Sequence, residues 1–126
     1  MLAVDTTVLV RLLARDEAKQ ALAADQAIAK GAWVSHLVLA EAIWVLDAVY
    51  GRTPKQMIAA LDLLLVHQSL VLQDADVINA ALTQFRTKPA LGFSDCLVLE
   101  IARKAEHMPL ATFDRALARL PGAQKL

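Results

Sequence analysis

Apolar bursts of only three or four residues punctuate this chain, and a polar residue able to start a helix or end a strand soon follows each one. Leu2-Ala3-Val4 runs into Asp5, Ala32-Trp33-Val34 into Ser35, Ser69-Leu70-Val71-Leu72 towards Asp74, and Pro109-Leu110-Ala111-Thr112 towards Asp114. The stretches between them read as helices over residues 6–13, 17–29, 35–50, 53–67, 74–86 and 95–106. Thr53-Pro54-Lys55-Gln56 is the clearest start signal: threonine caps, proline takes the first helical position and glutamine completes a capping box. Ser35 and Ser94 are placed to cap their helices, and Gly31 and Gly51 to close the two before and after residue 35. Short apolar strands alternating with helices indicate an α/β domain with a short, mostly parallel sheet, in which helix outweighs strand.

At 126 residues the chain fits one domain, residues 1–126, and no repeat, low-complexity tract or linker interrupts it. A hydrophobic content of 57% is high for a soluble monomer; much of it is alanine, and the excess suggests a surface covered by a partner. Cys96 is the only cysteine, which fits a reducing compartment. The apolar start meets Asp5 at once, so no signal peptide is expected, and no apolar run nears the roughly 18–20 residues needed to span a bilayer. The expected location is therefore the cytoplasm, with no membrane partner. Lysine plus arginine equals aspartate plus glutamate at 13 each. That balance weighs against nucleic-acid binding without excluding it, because a local basic rim or a bound metal ion can attract phosphate.

Four carboxylates draw notice. In an open parallel sheet, ligands bind beyond the carboxyl ends of the strands; Asp5 follows the first strand directly, and Asp114 lies two residues past the last. Asp95 falls in the first turn of a helix, where free N–H groups tolerate negative charge. Glu41 is stranger. At about 100° per residue, His36, Ala40, Ile43, Asp47 and Tyr50 share an arc expected to be the wetter side of their helix, and Glu41 falls roughly 140° from its centre. Leu37, Val38, Trp44 and Val45 lie one turn away. A carboxylate buried there needs a metal ion, a buried base or a salt bridge, unless the helix faces a cleft. If several of these acids came together, hard cations such as Mg²⁺ or Mn²⁺ would be needed to neutralise them. Two such ions can activate water against a phosphodiester, with no nucleophilic side chain. Spacing alone does not bring the four together.

Four segments resemble one family in order and in spacing. Val4-Asp5-Thr6-Thr7-Val8-Leu9-Val10-Arg11-Leu12-Leu13 is similar to the opening of PIN domains, specifically VapC-type toxins of type II toxin–antitoxin systems. Ser35-His36-Leu37-Val38-Leu39-Ala40-Glu41-Ala42-Ile43-Trp44-Val45-Leu46 resembles the second acidic motif, Phe93-Ser94-Asp95-Cys96-Leu97 the third and Ala111-Thr112-Phe113-Asp114-Arg115-Ala116-Leu117 the fourth. The resemblance implies a three-layer PIN-like α/β fold and a metal-dependent endoribonuclease. In it, Asp5, Glu41, Asp95 and Asp114 bind Mg²⁺ or Mn²⁺, directly or through water, while Thr6, Ser94 and Thr112 hold those carboxylates. It further implies an RNA substrate, a homodimer and inhibition by a cognate antitoxin protein. One departure stands out: the family usually carries asparagine two residues after the first aspartate, and here Thr7 keeps only a hydroxyl.

The remaining side chains have plainer readings. Trp33, Trp44, Phe85 and Phe93 are expected in core or interface packing more than in base stacking, Cys96 is expected as a packed side chain, and His36, His67 and His107 lack metal-ligand spacing. Arg115 and Arg11 are the candidate RNA contacts, against solvated surface charge as the alternative. A second reading of the whole chain is a catalytically silent PIN-fold module that binds RNA or protein, which Thr7 and the neutral charge favour. A third, a phosphoacceptor domain using Asp5, lacks a second aspartate two residues on.

Overall fold

The computed structural model describes all residues, Met1–Leu126, and the chain divides into two compact units, Met1–Ala75 and Asp76–Leu126. The first unit runs β1 (Leu2–Ala3), α1 (Thr6–Ala14), α2 (Ala18–Ile28), β2 (Ala32–Val34), α3 (His36–Ala48), α4 (Pro54–Val66) and β3 (Leu70–Leu72). Its three strands pair in parallel in the order β1-β2-β3, with Leu2 opposite Ala32 and Ala32 opposite Leu70. Alternation follows the pleat: Ala32, Val34, Leu70 and Leu72 are buried, whereas Trp33 and Val71 point outward. Helix α1 packs on both α2 and α3, and Leu9, Ile28, Leu39, Ile43 and Leu61 are among the buried side chains they and α4 supply.

All four helix starts of this unit are held by side chains: Asp5 accepts from the Val8 N–H, Glu17 from Lys19 and Gln20, Ser35 from Val38, and Thr53 exchanges both bonds of a capping box with Gln56. Each such cap contributes about 1 kcal/mol. They also fix where Asp5 and α3 begin, at the carboxyl ends of β1 and β2.

The second unit holds α5 (Ala75–Thr87, its first residue closing the unit before), α6 (Phe93–Lys104), β4 (Leu110–Thr112) and β5 (Ala123–Lys125), with short 3-10 turns at Pro89–Leu91 and Leu117–Arg119. Strands β4 and β5 pair in parallel, Leu110 with Ala123 and Thr112 with Lys125. All pairing is thus parallel, but the strands form two sheets, of three and of two. Leu99, Leu117 and Leu120 form a buried cluster with Leu91, Leu110 and Ala123 against it, and the Phe85 and Phe93 rings meet at 6.1 Å. Glu100, only 7% exposed, accepts from Arg103 Nε at 3.0 Å while its second oxygen has no partner; Arg103 also donates to the Pro121 carbonyl.

Two expected caps differ. Gly92, at φ 81°, precedes α6, so the helix starts at Phe93 and Ser94 lies inside its first turn, exposed, instead of capping it. A glycine adopts that backbone without the Cβ clash other residues meet. Asp74, at φ 41°, leads into α5 through the left-handed region, unlike the extended Ser35 and Thr53. No helix is long and apolar enough to cross a membrane.

Candidate active site

In the first unit, the start of α1 organises two carboxylates. Asp5 Oδ1 accepts from Thr7 Oγ1 at 2.6 Å and from the Val8 N–H at 3.1 Å. These donors, the Thr7 hydroxyl above all, hold the Asp5 carboxyl below the usual carboxylate range. Thr7 therefore supplies a donor to the first aspartate at the position of the family's asparagine. Thr6 turns the other way and donates to Glu41 Oε2 at 2.8 Å, bringing the α3 carboxylate to the N-terminus of α1. Consecutive threonines thus fix one carboxylate each.

Glu41 is exposed, which corrects the helical arithmetic. The buried side of α3 carries Leu39, Ala42, Ile43 and Leu46, so the arc centred on Ile43 is not the wet one. Leu37 and Trp44, the apolar neighbours that made Glu41 look buried, are themselves 68% and 62% exposed. Glu41 consequently needs no buried counter-charge and stands on an open face flanked by apolar side chains.

The second unit treats its acids differently. Asp95, in the first turn of α6, is partly buried, and its carboxyl is pushed above the usual range, first by desolvation and then by the charge of Asp114. No cation stands among the groups that act on it, and Arg103 and Lys104 of the same helix reach Glu100 and Asp76 instead. Asp114 is exposed and held by its own loop: its N–H donates to Thr112 Oγ1 at 3.0 Å, and its Oδ1 accepts from the Leu117 N–H at 2.9 Å. Thr112 thus acts as an acceptor that fixes the backbone of Asp114, while Ser94 makes no hydrogen bond to either acid.

Among the basic candidates, Arg11 is engaged within its own unit, donating to Gln20 Oε1 and to Tyr50 Oη at 3.1 Å and lying 3.5 Å from Asp16. Arg115 is exposed beside Asp114. Phe85 and Phe93 are core residues, 1% and 2% exposed. Cys96 is fully buried with its thiol pushed up to about 11, chiefly by desolvation, so it is no nucleophile. Phe113 went unmarked in the sequence although it adjoins Asp114; its 79% exposure is a property of the folded loop, and nothing in its apolar identity signals it.

Neither unit by itself gathers three carboxylate or imidazole groups into a metal cage. The donor chemistry nevertheless fits a hard divalent cation: every candidate is a carboxylate oxygen, and Asp95 with Asp114 is a like-charged pair without a basic partner. No curated protein and no solved structure matches the chain. A family model for the PIN domain, a family whose members are generally nucleases, matches residues 2–123 and so runs through both units. With its parallel α/β architecture and a match of that extent, the chain belongs to the PIN domain family.

Proposed function

We propose that this chain is a VapC-type toxin, a metal-dependent endoribonuclease that acts in the cytoplasm as a homodimer and is held inactive by a cognate antitoxin. The observation that carries the reading is Asp95: a partly buried carboxylate raised by desolvation and by Asp114, with no lysine or arginine paired to it. A fold alone would be better served by an uncharged residue there, whereas a site for a hard cation requires the charge.

Asp5, Glu41, Asp95 and Asp114 would hold Mg²⁺ or Mn²⁺, directly or through water. When bound, such an ion makes water nucleophilic near neutral pH and offsets charge on the phosphodiester. The chain's own residues do the positioning. Thr7 aims the Asp5 carboxylate, Thr6 that of Glu41, and the loop between Thr112 and Leu117 that of Asp114. Arg115, exposed next to Asp114, is the cation for an RNA phosphate, since Arg11 already serves Gln20, Tyr50 and Asp16. Exposed apolar side chains on α2 (Leu22) and α4 (Leu63 and Val66) support a dimer or antitoxin surface.

Cleavage of end-labelled cellular RNA in Mg²⁺ or Mn²⁺ tests this reading. Discrete products are expected from the wild type and none from Asp95→Asn or with EDTA, the substitution costing on the order of 10³-fold or more. Intact RNA with folded, antitoxin-free wild type would favour the catalytically silent binding module.

A further inference from the structure

Phe113 presents 79% of its surface, matched among large apolar side chains only by Met1 at the chain's start. Its loop is not slack. Asp114 N–H is bound to Thr112, Leu117 N–H to the Asp114 carboxylate and Ala118 N–H to the Asp114 carbonyl, and Leu117 is anchored in the cluster with Leu99 and Leu120. Folding therefore fixes the backbone that carries this ring without using its apolar surface. The ring stands one residue before a site carboxylate and two before the exposed Arg115.

An exposed aromatic ring two residues from an exposed arginine suits an unpaired nucleotide: the base stacks on the ring and the phosphate meets the cation. A base inside a duplex has both faces occupied and cannot do this. With 13 basic and 13 acidic residues the chain has little general attraction for phosphate, so RNA affinity has to come from local contacts of this kind. The geometry points to Phe113 as a stacking platform for an unpaired base next to the scissile phosphate. The inference rests on the ribonuclease reading, with Phe113 a positioning residue for its substrate.

Binding of a fluorescein-labelled mixed-sequence RNA, single-stranded or annealed to its complement, is followed by anisotropy in EDTA, which separates stacking from cleavage. The wild type is expected to prefer the single strand, Phe113→Ala to weaken that binding about 10- to 100-fold, and Phe113→Tyr to retain it. On any RNA the wild type cuts, Phe113→Ala should raise KM by a similar factor and leave kcat within a few-fold. Equal binding by wild type and Phe113→Ala, full retention by Phe113→Leu, or equal affinity for duplex would overturn the inference. So would a Phe113 covered by a second copy of the chain in solution, seen as a concentration-dependent loss of binding that Phe113→Ala relieves. Absent cleavage alongside intact, Phe113-dependent binding would count against the ribonuclease reading alone.

Discussion

In the first unit each candidate carboxylate meets a hydroxyl, and in the second it meets another carboxylate or the interior. Asp5 and Glu41 are exposed and receive the Thr7 and Thr6 hydroxyls. Asp95 is desolvated and faces the charge of Asp114, and one turn further along the same helix Glu100 keeps an oxygen buried without a partner. The contrast separates two tasks. Hydroxyl donors aim a carboxylate while leaving it charged, whereas burial beside a like charge makes the anionic form costly until a cation arrives. The start of α1 holds Asp5 and Glu41 and the loop after β4 holds Asp114, whereas in α6 the charge of Asp95 goes unrelieved.

The contrast can be pressed first through stability, where the effect should be largest. Arg103→Ala strips Glu100 of its only side-chain donor and should destabilise the fold by about 2–3 kcal/mol. Arg15→Ala, which breaks the exposed Arg15–Asp25 pair of the first unit, should leave the urea midpoint almost unmoved. Equal midpoints for the two variants would erase the distinction between buried and exposed ion pairs. A smaller effect concerns aim: Thr7→Val should lower kcat/KM about 10-fold with an unchanged melting temperature, and Thr7→Asn should restore the wild-type rate or exceed it. A Thr7→Val enzyme as fast as the wild type would deny the hydroxyl its role.

Much of this arrangement was legible in the residues, where local chemistry decides. Thr53-Pro54-Gln56 and Ser35 announce helix starts that the fold uses, and the short apolar bursts become parallel strands. What escaped depends on packing. Helix α3 is apolar on nearly every side, so its periodicity is weak, and tertiary contacts chose the Leu39–Ile43–Leu46 face over the one predicted. Strand β5, Ala123–Lys125, is two-thirds polar and carries no alternation that would betray its pairing with β4. Ser94 looked like a cap because serine favours that position, but Gly92 could take a backbone closed to other residues and started α6 earlier. The four candidate acids stand out from their motifs, whereas the hydroxyl partners of Asp5 and Glu41 and the stiff display of Phe113 arise only in the folded chain.

Mn²⁺ binding followed by electron paramagnetic resonance on wild type, Asp5→Asn and Asp95→Asn tests most directly the proposal that all four carboxylates serve one metal-dependent reaction. Each substitution, one in either unit, is predicted to weaken Mn²⁺ binding by at least about 10-fold and to abolish RNA cleavage with it. Wild-type Mn²⁺ affinity in either variant would contradict the claim, because the carboxylate concerned would then take no part in holding the metal.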